Sequence, residues 1–107
     1  MGQNFQVIFA PQAGRDLETI VHYIARHSGA DIAERFGMQL VEKALSLKTF
    51  PERGRVVPEV GKPFREIIFR SYRIMFRLGD DLVEVVRFWH AARGVPQIDS
   101  DDFGAQK

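Results

Sequence analysis

Between Phe64 and Gly94 six arginines (Arg65, Arg70, Arg73, Arg77, Arg87 and Arg93) are interleaved with β-branched and aromatic residues, and this constrains the fold more than any other feature. Such side chains are stiff or flat and suit a pleated, half-buried surface better than a helix. Within 72–78, Tyr72, Ile74, Phe76 and Leu78 alternate with Arg73, Met75 and Arg77. A period of two places the first set on a core and turns the second to the opposite, usable face. Gly79-Asp80-Asp81 is a turn signal in which the aspartates are ordinary turn formers. Strands are therefore expected over 72–78 and 82–90 as a hairpin, preceded by a strand over 64–70.

Upstream the period changes. Residues 4–10 (NFQVIFA) read as a short strand ended by Pro11, whose fixed φ suits a first helical turn. From Ala13 the apolar spacing is helical, with Leu17, Ile20, Val21 and Ile24 on one stripe. Ser28-Gly29 stops this helix, and Ser28 with Asp31 offers a capping-box-like start to the next. Ala33, Phe36, Leu40, Ala44 and Leu47 share one face of that second helix, which is expected to end near Phe50-Pro51. So short a break predicts an antiparallel helical hairpin. Gly37 lies inside the second helix, where glycine costs roughly 1 kcal/mol, so close packing is expected there. Residues 52–63 read as a Gly/Pro-rich charged loop. The expected class is α+β in the order β-α-α-β-β-β, a helical hairpin packed on a small, mainly antiparallel sheet. Residues 1–94 would form the domain and 95–107 a mobile tail, in which Ile98 and Phe103 are candidates to dock.

A chain of 107 residues supports one modest core. Its composition, 45% apolar and 27% charged, is that of a globular domain and not of a disordered chain. With no cysteine, disulfides, thiol catalysis and zinc–thiolate sites are excluded. The first residues lack the pattern of a signal peptide, and no apolar run approaches the roughly 18 residues that span a bilayer. A cytoplasmic protein without membrane association is expected. The net charge is only +1, but residues 53–93 carry nine basic and five acidic groups, so an anionic partner would meet the sheet. Solvated sheet-surface charge is the plain alternative.

Each candidate residue has two readings. Guanidinium groups present planar, permanently charged forks to phosphate or carboxylate, and Arg73, outward among other arginines, is the first choice for such a contact. Its plain alternative is an ion pair with Glu66 or Glu84, worth little if exposed. His90 ends the last strand, where an imidazole can exchange protons near neutral pH or simply hold a structural hydrogen bond. Trp89 can grip a partner or pack as core, and Tyr72 reads as core. His22 and His27, five residues apart on a helix, fall on different faces, so no metal site is assigned. No cofactor is expected.

Phe50-Pro51-Glu52-Arg53-Gly54-Arg55, Phe64-Arg65-Glu66, Tyr72-Arg73-Ile74-Met75-Phe76-Arg77 and Arg87-Phe88-Trp89-His90-Ala91-Ala92-Arg93, in this order over residues 4–94, resemble the RelE/ParE superfamily of bacterial toxins. The resemblance implies the toxin half of a type II toxin–antitoxin pair, bound in a hetero-oligomer by a cognate antitoxin that wraps its surface. It also implies one of two activities. RelE-like members cleave mRNA in the ribosomal A site without a metal, whereas ParE-like members poison DNA gyrase.

Cleavage of RNA needs a base for the 2′-hydroxyl, a cation for the phosphate and an acid for the leaving oxygen. Arg73 matches the superfamily's catalytic arginine, and His90 falls where some ribosome-dependent members carry a terminal catalytic histidine. The two lysines of RelE-type members correspond here to Glu66 and Ile68, and no tyrosine follows Tyr72. The ParE-like reading is therefore preferred, with Arg65, Arg70, Arg73, Arg77, Arg87, Trp89, His90 and Arg93 as the surface for target or antitoxin. The alternatives are a nuclease using Arg73 and His90, which alone would make the chain an enzyme, and a non-toxic interaction or nucleic-acid-binding module. The near-neutral charge disfavours tight nonspecific DNA binding.

Overall fold

The computed structural model describes residues 4–98. Pro11 opens the first helix as its sequence position requires. The chain runs through β1 (Gln6–Phe9), α1 (Pro11–Ser28), α2 (Ala30–Leu45), β2 (Arg55–Val56), β3 (Phe64–Phe69), β4 (Tyr72–Leu78) and β5 (Leu82–His90). The five strands form one sheet in the order β1-β5-β4-β3-β2. The meander β2 to β5 is antiparallel, while β1 lies parallel to β5 with Gln6 opposite Leu82 and Phe9 opposite Val85. This is the expected α+β arrangement. Among the described residues no helix is long and apolar enough to cross a membrane.

Several local expectations are corrected. Ser28 does not cap α2. It is the last residue of α1, and the cap is Gly29, whose φ of 101° reverses the chain in a single residue without a side-chain bond. The second helix stops at Leu45, short of Phe50-Pro51, and tightens into a 3-10 turn over Ser46–Lys48 that still buries Leu47. The charged loop holds an unforeseen two-residue strand, β2, because Arg55 and Val56 pair with Glu66 and Arg65. Arg70 leaves β3 to form a two-residue turn with Ser71, at φ 54°.

The hairpin packs its apolar stripes against one face of the sheet, where Ile20, Leu40, Leu47, Ile74, Phe76 and Phe88 form the main core. At Gly37 the two helices pack closely, since a Cβ there would lie 2.9 Å from Val21 Cγ2. Valine is stiff at χ1 and cannot yield cheaply. Overpacking of this kind costs about 1–3 kcal/mol, against the roughly 1 kcal/mol that alanine gains over glycine in a helix. Gly37→Ala should therefore lower the unfolding free energy by about 1 kcal/mol. Gly14→Ala, where a Cβ meets nothing within 4 Å, should raise it by up to ~1 kcal/mol. Paired urea denaturation curves check the two opposite signs.

The opposite face departs from the expectation of an open surface. Val57, Phe64, Met75, Val86 and Trp89 make a second buried cluster, with Val60 and Ile98 packed against it. The loop after β2 and the segment after β5 thus cover this face. Ile98 docks, one of the two candidates named for that role. Phe103 lies outside the described residues. A β-bulge makes this packing possible. Met75 faces Arg87 but Phe76 faces Val85, leaving Val86 as the extra residue. Strict alternation from Val83 would have sent Trp89 into the main core. The one-residue shift sends Phe88 there instead and places Trp89 on the second face.

Candidate functional site

Three of the six interleaved arginines, Arg73, Arg77 and Arg87, are consumed by carboxylates. Arg73 lies on the predicted face but is buried, at 8% exposure, because the second cluster closes around it. Its Nε donates to Glu66 Oε1 at 2.6 Å, and Nη2 donates to Glu59 Oε1 at 3.0 Å. Arg55, with an exposed side chain, binds the other Glu66 oxygen at 2.6 Å. Glu66, only 1% exposed, is thus clamped between two guanidinium groups. Burial alone would pull the Arg73 guanidinium down, but hydrogen bonds to Glu66 and then Glu59 carry it above its ordinary value. The Arg73 hydrogen bond in turn holds the Glu59 carboxyl below the usual carboxylate range.

Of the two partners weighed for Arg73, Glu66 is the one found. Glu84 is taken by Arg77, at 2.8 Å. Arg65 donates to the Gly54 carbonyl at 2.6 Å and so ties β3 to the loop before β2. Arg70 sits in the β3–β4 turn with its guanidinium 5.3 Å from the Phe69 ring centre.

The last part of β5 forms a second region. Beyond Phe9 no strand among the described residues covers its outer edge, and α1 runs alongside instead. Asp16, buried on α1, accepts from Arg87 Nε at 2.7 Å and Nη2 at 3.0 Å. It also accepts the Phe88 backbone N–H at 3.1 Å, satisfying the donor that β1 leaves unpaired. Arg87 Nη1 reaches the Gln97 carbonyl and holds down the chain after β5. Asp16 falls on the α1 stripe between Ala13 and Ile20, and a carboxylate on an apolar stripe was the signal that marks it. Glu59, in an irregular loop, carries no comparable signal.

Trp89 is buried, with its Nε1 donating to the Gly94 carbonyl and the Arg93 guanidinium 3.8 Å from its ring centre. His90 is exposed and stands edge-on to Tyr72, with ring centres 5.0 Å apart. Its Nδ1 accepts from Ala92 N–H at 3.1 Å, which caps the final 3-10 turn and leaves Nε2 to carry the proton of the neutral ring. Burial raises the Tyr72 phenol, so it stays a donor. A cleft of about 500 Å³ runs between α1 and this strand end, lined by Thr19, Tyr23, Tyr72, His90 and Arg93 among others. Arg73 is not among its lining residues. His22 and His27 belong to no cluster of metal-binding groups, and none of three or more exists among the described residues. His27 instead lies against Tyr23, with ring centres 4.2 Å apart and planes tilted by 31°.

The comparisons with known proteins agree with this architecture. Residues 7–95 match the family model described as ParE toxin of type II toxin–antitoxin system, parDE. The chain is 35% identical over 88 residues to Toxin RelE2 of Caulobacter vibrioides, covering 82% of this chain and 97% of that one. The solved chromosomal ParDE TA system from P. aeruginosa contains a chain of the same fold, with TM-score 0.72 and 17% identity, covering 80% of this chain and 95% of that chain. A family model that spans most of the molecule, and a relative this similar over nearly its whole length, show that this chain belongs to the ParE toxin family of type II toxin–antitoxin systems, within the RelE/ParE superfamily.

Proposed function

We propose that this toxin arrests growth by poisoning DNA gyrase in the cytoplasm, and that a cognate antitoxin protein neutralises it. The observation that carries the reading is the environment of Arg73, the position that matches the nuclease members' catalytic arginine. Its guanidinium already holds Glu66 and Glu59. A phosphate arriving there would meet the fixed Glu66 carboxylate. Two unit negative charges 4 Å apart repel by about 4 kcal/mol at an effective dielectric constant of 20. That exceeds the roughly 1.5–3 kcal/mol a hydrogen bond to a charged group returns. Ile68, exposed at the second lysine position, supplies no compensating cation.

The test is a pair of assays on the purified toxin. Gyrase supercoiling should be inhibited, while mRNA on translating ribosomes should stay intact. The name of the Caulobacter relative keeps ribosome-dependent cleavage by Arg73 and His90 as the alternative outcome. If the ribosomal mRNA is cut, and Arg73→Ala and His90→Ala each abolish the cutting without unfolding the domain, the gyrase reading fails.

A further inference from the structure

The loop between α2 and β2 displays one aromatic side chain under conditions that oppose it. Phe50 is 64% exposed, the most exposed aromatic among the described residues. Its backbone is left-handed, at φ 54° and ψ 55°. That conformation is disfavoured for a bulky L-residue. The residue before a proline is also pushed toward extended backbone, and Pro51 follows. Phe50 thus violates two local rules and leaves most of its surface in water, outside both core clusters.

The surroundings hold it there. Arg53 Nη1 donates to the Thr49 carbonyl at 2.8 Å and the Phe50 carbonyl at 3.3 Å, while Nη2 donates to Ser46 Oγ at 2.8 Å. Thr49 is bridged to Asn4, and Phe5 N–H donates to the Lys48 carbonyl. Downstream, Pro51 and Gly54 are buried, and a Cβ at Gly54 would lie 2.7 Å from the Phe76 ring. Arg65 closes the loop through the carbonyls of Glu52 and Gly54. The loop is therefore stapled on both sides of one projecting ring. Strain maintained by surrounding contacts is a mark of functional positions. An aromatic fixed in advance loses little freedom on binding, which is what an interface anchor needs. Lys48 and Arg53 flank it, against Glu52 as the acidic residue of the stretch, while Arg55 is also exposed but already paired with Glu66.

We infer that Phe50 is the anchor by which the toxin grips its cellular target, a protein with an apolar pocket rimmed by carboxylates. This rests on the reading of the chain as a toxin with a protein target. Phe50→Asn suits the left-handed backbone and removes the ring, and Phe50→Ala removes the ring alone. Each is induced by itself in cells, with thermal melting of the purified variant beside it.

Growth inhibition should fall at least about tenfold in both variants, with melting temperatures at or above that of the parent, and Phe50→Trp should keep the activity. Undiminished arrest by Phe50→Asn and Phe50→Ala overturns the inference. So does a loss of arrest that only tracks a lowered melting temperature. The parent toxin's effect on purified gyrase separates the two proposals. If it arrests growth but leaves supercoiling untouched, the gyrase reading falls and the anchor is judged on the growth result. If the parent chain is harmless when induced, both fall.

Discussion

Glu66→Ala is expected to remove about 3–5 kcal/mol of folding stability. Glu66 bridges Arg55 and Arg73 from a position with 1% exposure. Its loss leaves the buried Arg73 guanidinium with only the half-exposed Glu59, and an uncompensated buried charge is among the costliest defects a fold can carry. Domains of this size have about 5–15 kcal/mol in total, and each kcal/mol shifts the melting point by roughly 4–8 °C. A drop of ~15 °C or more in a thermal scan is the expected reading. The same argument predicts a rescue. Glu66→Met combined with Arg73→Met removes both charges while keeping the volume, and should restore most of the loss. A Glu66→Ala protein that melts like the parent would show the network to be ornamental. A failed rescue would mean that the two charges specify the packing of the second cluster.

Asp16→Ala should be of similar size, about 3–5 kcal/mol. It breaks the two-pronged contact with Arg87 and strands the Phe88 N–H at the edge of β5. Because Arg87 also holds the Gln97 carbonyl and lies 5.0 Å from the Trp89 ring centre, the damage should spread to the segment after β5. Trp89 is the chain's one tryptophan, so its fluorescence reads that region directly. The expected result is a shifted Trp89 emission in the folded protein together with the lowered urea midpoint. Asp16→Asn should lose nearly as much, since its amide NH₂ turns a donor toward donors. An unchanged emission spectrum in both variants would show that the segment after β5 does not depend on Asp16.

The toxin reading itself came from short motifs whose order along the chain could be read directly, and the family comparison agrees with it. The surroundings of the residues within those motifs are not local properties. The backbone period of a strand puts Arg73 and Arg77 on the face opposite the helices, beside Met75 of the second cluster. Exposure does not follow from that period, because it depends on what lies over the face: Arg73 is buried under the second cluster, while Arg77 stays partly exposed. His90 shows the same division. Its place at the end of β5 follows from the sequence, while its bond to Ala92 belongs to the 3-10 turn that follows.

Local geometry explains what the sequence by itself determined. A period of 3.6 marked the two helices, a period of two marked the meander, and Gly79-Asp80-Asp81 marked the hairpin between β4 and β5. All three are properties of neighbouring residues along the chain. Tertiary structure alone decided three further things. It made β1 a parallel neighbour of β5, it inserted Val86 as a bulge, and it brought Glu59 and Asp16 to arginines 14 and 71 residues away. Buried charges must find partners wherever packing brings one within reach, and no local period encodes that distance. The six interleaved arginines therefore announced a sheet, but the fold determined that three of them, Arg73, Arg77 and Arg87, are tied to carboxylates of the same chain.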